Sequence, residues 1–276
     1  MSVGLRPGSR AERSMAASSA FVFVFLYAPI LVLFFYSFNE NDNVGIWTEF
    51  SFRWYGEMFQ NDAVMGALRN SLVVALVSTV VSTVLGTATA LALERFRFRG
   101  RGFFDGLSYL PVIIPDVTMA VMMLLFFVSF FRLLAGAGMA FEFGLGTISL
   151  SHIAFNISFV AIVVRAKLAQ LDTSLEEAAA DLYADRWTTF RLVTLPLIMP
   201  AVLGGALLAL TLSLDDVVVT SFVSGPGATT LPVYVFGLVR RGVTPLINAV
   251  SVVMLAASIS LVLFSLVFQR RGAEES

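Results

Sequence analysis

Six long apolar runs fix the class of this chain before any motif is read. They occupy residues 15–38, 70–93, 106–131, 147–168, 198–223 and 246–268. Each is long enough to cross a hydrocarbon core of about 30 Å as a helix. Lipid offers no partner to a free N–H or C=O, and the alternation of a barrel strand is missing, so each run must be helical. The expectation is an all-α membrane protein with six transmembrane helices.

Composition closes the alternatives. Of 276 residues, 58% are hydrophobic and 13% charged, where a soluble domain carries about 25% charged. A net charge of −1 gives no basic face for nucleic acid. There is no cysteine and a single histidine, His152, which excludes disulfides, thiolate metal sites and multi-histidine centres. The first run follows Arg6, Arg10 and Arg13 as a signal peptide would. It is longer than such a core and lacks a small-residue cleavage site, so it reads as an uncleaved helix. Thirteen of the 18 Lys and Arg residues fall in the segments on one side of the six runs and five on the other. The richer side is cytoplasmic. Residues 1–14 and 271–276 are therefore expected as cytoplasmic ends of a transmembrane domain over 15–270.

The connecting segments differ in character. Residues 39–69 carry Trp47, Phe50, Phe52, Trp54, Tyr55 and Phe59. They form either an interfacial aromatic belt with a short amphipathic helix or a docking surface for an external partner. The Gly- and Pro-containing stretch 224–245 argues against a continuous helix. Gly86, Gly204 and Gly205 suit close helix packing.

The most informative segment is 172–196, on the cytoplasmic side between the fourth and fifth runs. Ser174 and Glu177 have the spacing of a capping box for a helix starting near Leu175. Ala178, Ala179 and Ala180 favour helix. Asp185 is placed to cap a second short helix carrying Trp187, Phe190 and Val193, and Pro196 marks a break before the fifth span. Such a hairpin resting on lipid would carry a basic face. This one carries Glu176, Glu177, Asp181 and Asp185, which suits a protein partner better.

The segment resembles the EAA loop of binding-protein-dependent ABC importer permeases, through Glu177, Ala178, Ala179, Asp181, Leu182, Ala184, Phe190, Leu195, Pro196 and Pro200. It departs at Tyr183, where the family has glycine. A glycine there permits a turn with positive φ, so either the turn is built differently or coupling is altered. The resemblance spans roughly residues 15–270. Ser213–Pro226, Thr230–Pro232, Arg240–Ala249 and Leu110–Asp116 look like the second permease of spermidine/putrescine importers, with importers of other small solutes close by. The resemblance implies the type I ABC importer fold, with a homologous second permease as neighbour. It also implies two cytoplasmic ATPase subunits docking through Glu177, Ala178, Ala179, Asp181, Tyr183, Phe190 and Pro196, and a periplasmic solute-binding protein above. ATP and Mg would sit on the ATPase. The chain itself has no G-x-x-x-x-G-K-[ST] phosphate loop and is expected to bind no cofactor or metal.

Asp116, Asp215 and Asp216 fall within the apolar runs, where a carboxylate costs about 2.5–3.5 kcal/mol. They are candidate stations for a cationic substrate, or structural caps at broken helices. Residues adjacent in a helix point about 100° apart, so Asp215 and Asp216 are not expected to face one path together. His152, beside Asn156, reads as an interhelical histidine. No Ser/His/Asp arrangement stands out, and no catalytic residue is assigned. An ion-coupled carrier using the three aspartates, or an intramembrane enzyme, remain rival readings; the acidic hairpin argues against the first and the lack of a catalytic set against the second.

Overall fold

A computed structural model describes residues 10–242 and 244–274. Arg6 and the last two residues of the expected tail lie outside the described residues. Twelve α-helices follow in order: α1 Arg10–Tyr36, α2 Arg53–Gln60, α3 Asp62–Arg95, α4 Arg101–Ile113, α5 Asp116–Gly136, α6 Leu145–Leu168, α7 Ser174–Asp181, α8 Arg186–Thr189, α9 Leu195–Asp215, α10 Val218–Val223, α11 Leu231–Arg241 and α12 Pro245–Glu274. A π-helical turn, Phe190–Thr194, joins α8 to α9. No strand forms among the described residues, and Asn39 and Phe50 make an isolated antiparallel bridge. Among the described residues, five helices are long and apolar enough to span a membrane: Ser14–Tyr36, Asp62–Arg95, Asp116–Gly136, Leu145–Leu168 and Arg186–Asp215. The 30-residue α12 covers the sixth run.

The chain divides into two units, residues 1–61 with 238–256, and residues 62–237 with 257–276. In the first, α1 displays Phe21, Phe23, Phe25 and Leu31 outward, as a helix bathed in lipid does. The segment after it folds on Asn39, which is fully buried. Its amide donates to the Ile46 carbonyl, its Oδ1 accepts from the Thr48 N–H, and its carbonyl accepts from Trp54 Nε1. The Phe35 and Trp47 rings stack at 4.3 Å. The short helix expected in the 39–69 segment is α2, held by buried Trp54 and Met58.

The second unit is built on α3, α6 and α9. The inner face of α3 is small and polar: Ser71, Ala75, Ser78, Ser82, Gly86 and Ala90 are buried. Without a hydrophobic drive inside lipid, small residues and hydrogen bonds hold helices together. Val160 of α6 is the wedge. A Cβ on Gly86 would lie 2.7 Å from Val160 Cβ, and one on Gly205 would lie 3.3 Å from Val160 Cα. Leu93, Val164, Leu168 and Ile198 complete the buried packing near that end.

The structure departs from the expected spans at three points, each for a backbone reason. The third run is two helices, because Ile114 is extended (ψ 131°) before Pro115, and a residue preceding proline avoids the α region. The fifth run also breaks, since Asp216 is extended (ψ 124°) and α9 stops at Asp215. Pro196, by contrast, does not interrupt the chain. The π turn precedes it, with the Leu195 N–H donating to the Phe190 carbonyl, and this widened turn accommodates the proline ring that an α-helical carbonyl four residues back would strike.

Candidate functional site

The two helix breaks meet at one place. A cavity of about 240 Å³ is lined by Asp116, Asp215 and Asp216, together with Pro111, Phe155 and Phe159. Asp116 is the first residue of α5, Asp215 the last of α9, and Asp216 follows it, its carboxylate accepting the free Val219 and Thr220 N–H groups of α10. The expectation that Asp215 and Asp216 diverge is corrected. The 100° rule holds within a helix, and the helix ends between them. Asp116 and Asp215 are exposed to this space, whereas the Asp216 side chain is 12% exposed.

Helix ends set the electrostatics. A carboxylate at a helix N-terminus meets a positive partial charge, and one at a C-terminus adds to a negative one. Asp116 and Asp216 therefore offset the ends of α5 and α10, while Asp215 reinforces the negative end of α9. No lysine or arginine lines the cavity. The aromatic faces of Phe155 and Phe159 add cation–π capacity. The cavity is suited to a slender cation.

Behind it lies a polar network that the sequence did not reveal. His152 is fully buried. Its Nδ1 is 2.6 Å from Ser213 Oγ, and its Nε2 is 3.0 Å from Thr220 Oγ1 and 3.3 Å from Asp216 Oδ2. Ser213 Oγ lies 3.0 Å from Ser78 Oγ. A Ser/His/Asp set thus exists in space, although no spacing announced it. It is a brace across α3, α6, α9 and α10. Ser213 is 5% exposed and His152 sealed, so no scissile group can reach the hydroxyl. The available signal was a lone histidine in an apolar run with Asn156 one turn on.

The 172–196 segment forms the expected pair of short helices with altered caps. The capping box of Ser174 and Glu177 does not form. Asp172 Oδ1 instead accepts the Ser174 N–H at 2.9 Å, because a shorter acidic side chain two residues back reaches the free amide first. That bond holds the Asp172 carboxyl below its usual range. Asp185 does cap α8, accepting the N–H groups of Trp187 and Thr188 and the Thr188 hydroxyl. The Thr188 hydroxyl is the main cause of a lowered Asp185 pKa.

The turn at Tyr183 is not built differently for want of a glycine. The Tyr183 φ is 61°, the one positive φ outside glycine among the described residues. The Tyr183 N–H donates to the Ala180 carbonyl at 2.9 Å and the Ala184 N–H to the Ala179 carbonyl at 3.0 Å. This is a Schellman turn, built as glycine would build it, with the strain borne by tyrosine. Tyr183 is 98% exposed, and Leu182, Trp187 and Leu192 are exposed around it. Glu177, Ala178, Asp181 and Pro196 are exposed, and Ala179 and Phe190 partly buried.

Glu176, absent from the sequence-based site, is what ties this segment to the bundle. Its Oε1 accepts from Arg95 Nη2 of α3 and from Thr194 Oγ1 of the π turn, both at 2.9 Å. Close by in sequence, Glu94 pairs with Arg165 of α6 at 3.6 Å, and Arg165 also binds Asp105 of α4.

Residues 82–271 match the family described as binding-protein-dependent transport system inner membrane component. Over 215 residues the chain is 48% identical to the putrescine transport system permease protein PotI of Escherichia coli (strain K12), covering 78% of this chain and 75% of that protein. Over 224 residues it is 37% identical to the spermidine/putrescine transport system permease protein PotC of the same strain, covering 81% of each. A bacterial ABC transporter that imports the acidic polysaccharide alginate has a chain of the same fold, with TM-score 0.77, 21% identity and 95% of each chain covered.

Proposed function

We propose, from a chain that belongs to the binding-protein-dependent transport system inner membrane components, that it is the polyamine-conducting permease subunit of an ATP-driven importer. The carrying observation is the convergence of Asp116, Asp215 and Asp216 on one cavity lined by aromatic rings. A polyamine is a flexible apolar chain with ammonium groups at intervals. Carboxylates neutralise those groups, and Phe155 and Phe159 take the methylenes between them. Relatives named for putrescine and spermidine support the same cargo.

As a membrane component the chain is a pore-forming subunit and not itself an enzyme. In this reading it has six spans over 15–270, with both ends cytoplasmic as the Lys and Arg distribution indicates. A second, homologous permease completes the pore, and a periplasmic solute-binding protein delivers cargo. Two ATPase subunits holding ATP and Mg dock against residues 172–196. Glu177 offers a charged contact, Ala178 and Ala179 a close approach, and Tyr183 with Trp187 an aromatic one. A backbone strained at Tyr183 while its ring stays fully exposed supports a docking use, since strain of this kind concentrates where function needs it. Closure of the ATPases would draw the hairpin inward, and Glu176 would carry that motion to α3 through Arg95 and to α9 through Thr194.

The test is uptake of radiolabelled putrescine and spermidine by the complete complex in proteoliposomes containing ATP. Asp116→Asn and Asp215→Asn should each lower uptake about tenfold or more, the worth of one charged hydrogen bond, without loss of ATPase from the purified complex. Unchanged uptake in both variants would remove the cavity from the path. A complex that is competent for ATP hydrolysis yet carries neither amine would point to another small solute.

A further inference from the structure

We propose that His152 is a positioning residue for cargo selection: it holds Asp216 as a helix cap, so that the cavity offers two open carboxylates, Asp116 and Asp215, and favours a diamine over a triamine. This rests on the polyamine reading above.

Asp216 meets three donors, all from the start of α10. Its Oδ1 accepts the Val219 N–H at 3.2 Å. Its Oδ2 accepts the Thr220 N–H and the Thr220 hydroxyl, each at 2.7 Å. His152 Nε2 stands 3.3 Å from the same oxygen and 3.0 Å from the Thr220 hydroxyl. Asp116 and Asp215 line the same space with no hydrogen bond or ion pair among the described residues, and both are exposed.

The directions of these bonds are settled by the chain itself. The Thr220 hydroxyl donates to Asp216, so it accepts from Nε2–H. In a neutral imidazole Nδ1 must then accept, and Ser213 Oγ, 2.6 Å away, is its donor. Ser78 on α3 lies at 3.0 Å from that hydroxyl. The ring is therefore locked by α3 and α9 on one side while its N–H is pointed at the α10 cap on the other. The oxygens of Asp216 are committed to α10, and His152 of α6 holds the Thr220 hydroxyl to that task. Two open carboxylates match the two ammonium groups of a diamine. The third group of a triamine would find no acceptor.

The experiment measures uptake of putrescine and spermidine, each over a range of concentrations, by the complete complex in proteoliposomes. His152→Leu removes the donor that orients the Thr220 hydroxyl towards Asp216, and Thr220→Val removes that hydroxyl while keeping the N–H. His152→Gln retains an amide that can donate to the Thr220 hydroxyl. The solute-binding protein is the same throughout, so its own preference cancels in the ratio of variant to wild type. Freeing Asp216 should raise the spermidine-to-putrescine ratio of Vmax/KM by about tenfold, again the worth of one charged hydrogen bond. The Leu and Val variants should both show it, and the Gln variant should return towards wild type. Thr220→Val decides the matter alone if His152→Leu does not assemble. A ratio within about twofold of wild type, or one shifted towards putrescine, overturns the proposal and leaves His152 as packing. Wild-type complex that carries neither amine would instead overturn the polyamine reading, a separable result.

Discussion

Replacing Tyr183 by glycine should tighten the turn that closes α7. Its φ of 61° places Cβ against the following carbonyl, at a cost of roughly 1–2 kcal/mol. Glycine removes that cost, yet also loosens the unfolded chain, which takes back about 0.4–1 kcal/mol. The ring is 98% exposed, so its loss forfeits no packing. The net gain is about 0.5–1 kcal/mol, or a local opening roughly two- to fivefold rarer. Hydrogen exchange on the chain in nanodiscs reads this directly. The reporting amides are those of Leu182 and Ala184, which donate to the Ala178 and Ala179 carbonyls at 3.2 and 3.0 Å. Tyr183→Ala supplies the control, because it deletes the ring and keeps the strained Cβ. Slower exchange in the glycine variant alone is the expected outcome. Equal slowing in both variants would show that the ring, and not the backbone, destabilises the turn. No slowing in either would refute the strain argument.

Other substitutions probe other layers. Gly86→Ala should destabilise the second unit by about 1–3 kcal/mol, since the new methyl meets Val160 Cβ at 2.7 Å; thermal unfolding in detergent should show it, and a second change, Val160→Ala, should restore part of the loss. Glu176→Ala should leave ATP hydrolysis by the complex in place while lowering cargo moved per ATP, and Glu176→Arg with Arg95→Glu should recover part of the coupling if the 2.9 Å pair transmits motion. Asp185 is lowered below its ordinary value of 3.8 by the Thr188 hydroxyl, so its cap stabilises α8 fully above about pH 4. That contribution falls away as pH drops through the depressed folded value. Exchange at the Trp187 and Thr188 amides should therefore rise below pH 4, beyond the intrinsic pH trend, and Asp185→Asn should flatten that excess.

Much of this molecule was legible because its strongest signals are local. Apolar run length gave the spanning helices, and Asp185 gave the α8 cap. Side-chain type marked Asp116, Asp215 and Asp216 as costly residues, and the three line one cavity. What stayed hidden depends on geometry between helices or on competition within a turn. Two adjacent aspartates point apart only while the helix continues, and ψ 124° at Asp216 undid that rule. Asp172 outcompeted Ser174 for a free amide by reach alone. His152 met Ser213 and Asp216 across 61 and 64 positions of sequence, a pairing no spacing encodes. Glu176 looked equivalent to Glu177 until α3 supplied Arg95.

The wide turn at Phe190–Thr194 acts as a phase shifter. An uninterrupted α-helix from Arg186 to Asp215 would lock the azimuth of Trp187 and Phe190 to that of Ile198 and Gly205. One extra residue in the turn advances everything on its N-terminal side by about 100°. The direction in which the hairpin faces is therefore set by a residue count and not by residue identity. Deleting Leu192 or Val193 from this turn would leave every charge and Phe190 in place, while rotating the hairpin by more than a quarter turn about the axis of α9.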